Sequence, residues 1–273
     1  MLYDISSKES AFDFLQSFLD ITKSDLDRFI SSNTIQTKAY TDTTKIHAQS
    51  LFATLSIESK NLETGNIEVL GIHYTSNDDN NESILSEGMG DLQYALSHDT
   101  PLFRFLKSKG ILFNIEERRM LVDETSYDIR YTQYDYEKPL TGIARKVYYD
   151  NQLSCFLNLK DITNYAGKVH IRPEFLFNID RMFPKKELSR AWANRCNRYC
   201  VKFKAAVSKF TAYTFYDKSD YTDMSDERLK LIYSLVDKAL LVASDNGSGE
   251  IFAYMKPDTI IPPDCIVSIT ELS

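Results

Sequence analysis

Three short stretches of this chain hold residue types whose spacing suits chemistry. The first is Ile72-His73-Tyr74-Thr75-Ser76, in which His73 and Thr75 occupy alternate positions. On a strand, alternate side chains share a face, so both could hydrogen-bond one ligand. The second is Gly167-Lys168-Val169-His170-Ile171-Arg172-Pro173-Glu174, which offers an imidazole and a guanidinium two residues apart. Read as a strand, it turns His170 and Arg172 to one face, suited to a ring and a phosphate. The third is Gly249-Glu250-Ile251-Phe252-Ala253, followed by Ile260-Ile261-Pro262-Pro263-Asp264-Cys265-Ile266. Its Glu250 is a carboxylate able to stabilise a developing positive charge. Arg145 and Tyr149, four apart on a helix, and Tyr165 are further candidates. Each also has a structural reading: His73 as a satisfied histidine at a strand end, Arg172 paired with Glu174, Glu250 solvated.

Several common chemistries have no motif here. The sequence contains no Gly-x-x-x-x-Gly-Lys loop, no Gly-x-Gly-x-x-Gly after a strand, no His-Glu-x-x-His and no Gly-x-Ser-x-Gly elbow. Cys155, Cys196, Cys200 and Cys265 are scattered and suggest no disulfide framework. Cys196 and Cys200 could face each other on a helix, but without a nearby His or further Cys they read as ordinary thiols. The net charge of −7 argues against broad charge-driven nucleic-acid binding. Arg181 to Lys204 nonetheless carries eight Lys or Arg and one acid, Glu187, and could contact phosphates. Segments 1–33 and 217–227 are acidic. No apolar run is long enough to span a bilayer and Met1–Ser10 lacks a signal-peptide pattern, so the chain reads as cytoplasmic.

The elements that must position these residues can be read from period and punctuation. Hydrophobic residues are 43% of the 273, with 17 Tyr and 16 Phe, a globular composition with strands as well as helices. Ser7 caps a helix bearing Ala11, Phe12, Phe14, Leu15, Phe18 and Leu19. A second helix starts at Ser24 with Leu26, Phe29 and Ile30 inward, and a third runs from Thr44 through Leu55. Thr64-Gly65-Asn66 then marks a boundary. Ile67–His73 reads as a strand ending at His73, with Ser76 or Asp78 capping a helix that Gly88 closes. Pro101 opens another helix, ending at Gly110. Ile111–Phe113, Met120–Val122 and Tyr127–Tyr131 read as short strands, and Leu140, Ile143, Ala144, Val147 and Tyr148 as one helical face. Leu153–Leu159 and Lys168–Arg172 read as strands, Glu174–Phe183 as a helix, and Tyr199–Phe203 and Phe210–Tyr216 as strands. Ser225 caps a long helix through Ala243, Asp245–Gly249 is a turn, and Glu250–Met255 and Cys265–Ile269 are the last strands. Short strands interleaved with helices predict an α+β fold.

In this order the three stretches resemble the NAD-dependent ADP-ribosyltransferase superfamily, in its His-Tyr-Glu branch, over roughly residues 67–273. The His-x-Thr strand, a following helix closed at Gly88, the glutamate opening a late strand and the Ile-Pro-Pro segment carry the resemblance. It implies a split mixed β-sheet core of ADP-ribosyltransferase type at 65–273, with residues 1–64 a helical N-terminal extension. It also implies that NAD is the substrate, that His73 and Thr75 hold its adenosine ribose, and that Glu250 steadies the oxocarbenium-like state. The place of the family's tyrosine holds His170, with Tyr165 nearby. His73, His170 and Glu250 would then converge in one cleft. The implied enzyme modifies nucleic acid or protein, as a toxin or defence effector, with segment 181–204 meeting the target. The chain also resembles a bacterial family that implies no function. Two other readings stand beside the transferase: a metal-dependent nuclease using His170 and Glu174, and a non-catalytic binding module.

Overall fold

The computed structural model describes residues 1–33, 47–130, 138–216, 224–245 and 250–272. In chain order they form β1 (Leu2–Tyr3), α1 (Lys8–Leu19), α2 (Lys23–Ser32), α3 (His47–Leu55) and β2 (Glu68–Asn77). Next come α4 (Glu82–Glu87), α5 (Leu92–Ser97), α6 (Pro101–Ser108), β3 (Ile111–Asn114), β4 (Arg119–Val122) and β5 (Thr125–Asp128). Then follow α7 (Pro139–Tyr148), β6 (Ser154–Leu159), α8 (Glu174–Met182), α9 (Leu188–Arg195) and β7 (Asn197–Ala206). The chain closes with α10 (Glu227–Ala243), β8 (Glu250–Tyr254) and β9 (Ile266–Glu271). The fold is α+β, as composition and period predict. Among the described residues no helix is long and apolar enough to cross a membrane.

Two compact units divide the residues. The first contains Met1–Ile72, Ser154–Lys160 and Lys204–Tyr254; the second contains His73–Leu153, Asp161–Phe203 and Met255–Ser273. The described residues of segment 1–64 fall in the first unit, together with later parts of the chain. The turn at Gly65-Asn66 therefore joins two stretches of one unit.

In the first unit β6 pairs antiparallel with β8, from Ser154 opposite Tyr254 to Leu159 opposite Glu250. β2 joins β6 through Ile72 opposite Phe156, and β1 runs parallel to β2. The helices pack on apolar faces that their own sequences dictate. Ser7 forms a capping box with Ser10, and α1 buries Ala11, Phe12, Phe14, Leu15, Phe18 and Leu19. α10 packs against α1 and α3, burying Ile232, Leu235, Val236, Ala239 and Leu240. Its cap is Asp226 rather than Ser225, with the carboxylate accepting from the amides of Arg228 and Leu229. α2 starts one residue before Ser24, capped by Thr22, and buries Leu26 and Phe29. Thr44, the expected start of the third helix, lies outside the described residues; α3 begins at His47. Phe210–Tyr216 is not a strand. It holds a 3-10 turn over Ala212–Thr214, because Thr214 bonds both the amide and the carbonyl of Tyr254 through its hydroxyl.

In the second unit β3, β4 and β5 form an antiparallel meander, and β7 pairs antiparallel with β9. β7 alternates as its sequence predicts, with Tyr199, Val201 and Phe203 buried and Arg198, Cys200 and Lys202 partly exposed. A core cluster gathers Phe105 and Leu106 of α6, Ile143 and Val147 of α7, Leu176 and Ile179 of α8 and Trp192 of α9. Thr100 caps α6 with Pro101 at its first turn, as expected. Gly88 closes α4 at φ 86°, where an added Cβ would lie 2.0 Å from the carbonyl oxygen of Ile261.

Two expectations fail in this unit, and one open possibility is closed. β2 continues four residues past His73, so Ser76 is a strand residue and the turn before α4 is built instead by Asn77 and Asn81 side chains. Lys168–Arg172 is a turn. Lys168 adopts φ 50°, and its carbonyl accepts from the amides of Ile171 and Arg172, which no strand allows. Cys196 ends α9 while Cys200 lies inside β7, so the two thiols share no helix.

Candidate functional site

β2 presents two chemically different faces in the second unit. Side chains alternate along a strand, so His73 and Thr75 share one face while Tyr74 and Ser76 share the other. The Tyr74–Ser76 face is closed by structure. Ser76 is buried, accepts from the indole of Trp192 at 2.7 Å and donates to the carbonyl of Ile171 at 3.1 Å. Tyr74 donates its hydroxyl to the Cys200 sulfur. Burial, then Cys200, pushes the Tyr74 hydroxyl up to about 12, so it stays protonated at neutral pH.

The Ile171 contact fixes the Lys168–Arg172 turn against this closed face, and His170 goes with it. His170 is buried at 5% exposure and its Nδ1 has no hydrogen-bond partner. Burial lowers its pKa first, the charges of Arg198 and Lys168 lower it further, and Asp161 opposes them. Asp161 is already engaged: its two oxygens accept from Thr163 and Asn164, which hold the carboxyl below its ordinary value. The Ser76–Ile171 bond thus ties the turn that carries His170 to β2. Without a strand at 168–172, His170 and Arg172 also lose the common face the sequence suggested. Arg172 stacks over the Phe177 ring at 5.3 Å, and its buried Nη1 lacks a partner. Glu174 pairs with Lys146 at 2.8 Å instead of with Arg172, and Lys146 also holds Asp150.

His73 and Thr75 themselves are partly exposed. Tyr165 is partly exposed as well, following a 3-10 turn capped by Asp161. Its ring lies so close to Gly167 that an added Cβ there would stand 2.6 Å away. Arg145 is exposed on α7, and Tyr149 caps that helix with 57% exposure. In the first unit, Glu250 opens β8 as expected, exposed and opposite Leu159. Its neighbours Leu159 and Ile251 help line a cavity of about 270 Å³ with Lys8, Asn158 and Lys160.

The basic segment is partly neutralised. Lys186 bonds Asp123 and the Lys109 carbonyl, Arg195 pairs with Asp78 and Arg190 with Glu187. Among the described residues no group of three or more His, Cys, Asp or Glu could hold a metal ion, so the nuclease reading gains no support. Sequence reasoning missed Tyr74, Ser76 and Arg198. The signals were present: Tyr74 and Ser76 alternate with His73 and Thr75, and Arg198 alternates with buried Tyr199. What set their roles was contact with distant segments. No family model, curated protein or solved structure matches the chain.

Proposed function

We propose that this chain is an NAD-dependent ADP-ribosyltransferase-like enzyme of the cytoplasm, modifying nucleic acid or protein. One observation carries the reading: His73 and Thr75 occupy alternate positions of β2, so they share a face, and both are partly exposed. Both can hydrogen-bond ribose hydroxyls. Glu250 keeps the role that the family resemblance gives it, stabilising the positive charge of the oxocarbenium-like state. His170 stands in the place of the family's tyrosine, with Tyr165 nearby as a second ring able to stack on nicotinamide. Arg181 and Lys185, exposed and without ion-pair partners among the described residues, are the cations of the basic segment best suited to meet a target.

The burial of His170, 5% exposed, favours a second reading, a binding module that holds NAD without consuming it. Thermal unfolding with and without millimolar NAD separates the outcomes. A ligand at about 100 times its dissociation constant adds roughly 2.7 kcal/mol. Wild type should gain a raised midpoint that Thr75→Val loses and Glu250→Gln retains. Release of nicotinamide by wild type but not Glu250→Gln would establish the enzyme; binding without release would favour the module. No midpoint rise in any NAD concentration tested would remove both.

A further inference from the structure

The outer face of α8 and the turns at its two ends carry more positive charge than the protein neutralises. Between Arg172 and Arg190 the sequence holds three carboxylates, and each is already engaged. Glu174 pairs with Lys146 at 2.8 Å, and Asp180 accepts from the amides of Leu188 and Ser189. Glu187 lies 3.6 Å from Arg190, and Lys186 reaches Asp123. Arg172, Arg181 and Lys185 are left without an ion pair among the described residues, and the last two are exposed. An aromatic ring stands with them. Phe177 is 49% exposed, and the Arg172 guanidinium lies over its ring at 5.3 Å. Arg181, in the last turn of α8, is four residues on and so shares the helical face of Phe177. Lys185 follows in the 3-10 turn Pro184–Lys186.

We propose that this face of α8 docks single-stranded nucleic acid, with a base stacked beside Phe177 and Arg172 and backbone phosphates meeting Arg181 and Lys185. The partner must bring negative charge to the cations and a flat apolar surface to the ring. Single-stranded nucleic acid brings both, since every base has a π-face and every linkage a phosphate. Arginine donors suit phosphate oxygens, and Arg172 adds cation–π attraction to a stacked base. A duplex offers the phosphates but keeps its bases stacked on one another, which leaves Phe177 unused. An acidic peptide satisfies the cations alone. The net charge of −7 confines such binding to a local patch of this kind. The surface would give the transferase proposed above its target, yet it needs neither NAD nor Glu250.

The test is fluorescence anisotropy of a short labelled oligothymidylate titrated with the full chain in the absence of NAD. It is repeated over a range of salt and in competition with duplex DNA and with polyglutamate. Saturable binding is expected, weakening with salt at a slope of roughly −1.4 in log K against log salt, as for two phosphates. Arg181→Gln and Lys185→Gln should each weaken binding and reduce that slope by about 0.7. Phe177→Ala should weaken binding about tenfold with the slope unchanged, and Phe177→Trp, which keeps a stacking ring, should retain it. That pair separates lost stacking from a folding defect. Absence of salt-dependent binding, or binding that Arg181→Gln, Lys185→Gln and Phe177→Ala all leave unchanged, would overturn the proposal. So would competition by duplex as strong as by unlabelled oligothymidylate. Stronger competition by polyglutamate would overturn it too and point to an acidic protein as the partner.

Discussion

Replacing Ser76 with alanine removes one oxygen and, with it, two hydrogen bonds that join three distant segments. That oxygen accepts from Trp192 at 2.7 Å and donates to Ile171 at 3.1 Å. Trp192 is 1% exposed, so its N–H would be left buried without an acceptor, at a cost of about 1–3 kcal/mol. The Ile171 carbonyl loses an ordinary donor, a further ~0.5–1.5 kcal/mol. Together these predict a loss of about 1.5–4.5 kcal/mol, large for a change that removes a single atom. Urea unfolding can measure it, with the sole tryptophan of the chain as the fluorescent probe of this contact. Trp192→Phe removes the donor instead, and far-UV dichroism can follow both variants. Because the residues touch, the double variant should cost less than the sum of the singles, by roughly 1–2 kcal/mol. Hydrogen exchange should quicken at Ile171 and Arg172 in Ser76→Ala, since their amides belong to the anchored turn. A loss below about 0.5 kcal/mol with additive singles would refute the reasoning. It would also undo the anchoring of the Lys168–Arg172 turn to β2.

Two further perturbations probe the same unit. Gly88→Ala should destabilise the chain by at least ~1–3 kcal/mol, since φ 86° with extended ψ is a conformation for glycine and the new Cβ would collide with Ile261; a midpoint within error of wild type would contradict it. The lowered pKa of His170 means the unfolded chain binds its proton more tightly. Its contribution to stability is then complete above the unfolded value near 6.5 and is lost as pH falls from there toward the folded value. His170→Asn should flatten that part of the stability-versus-pH curve, and an unchanged slope would show that His170 is not the group responsible.

The parts of the fold legible in the sequence are those decided by neighbours in sequence. The buried stripe of α1 follows its apolar spacing, and its capping box is written in Ser7 and Ser10. β7 follows from alternation, and α6 from Thr100-Pro101. The failures have the opposite character. Val169 and Ile171 suggest a strand, but Lys168 in the left-handed region turns the chain before a ladder can form. Phe210 and Phe215 suggest a strand too, until Thr214 finds the backbone of Tyr254, 40 residues away. Ser76 has the composition of a helix cap, yet its partner is Trp192, 116 residues along the chain. Local propensity is a weak prior wherever a tertiary partner satisfies the same side chain better.

The candidate site divides along the same line. That His73 and Thr75 share a face is a consequence of strand period, and it holds because β2 runs through both. That the turn carrying His170 is tied to β2 depends on a bond between Ser76 and Ile171, 95 residues apart, which no local pattern encodes. A ten-residue strand has two faces. Here one carries hydroxyl and imidazole groups that remain partly exposed, while the other holds a tyrosine and a serine committed to fixed partners. Substituting Ser76 therefore tests the fold, whereas substituting Thr75 tests the proposed ligand recognition.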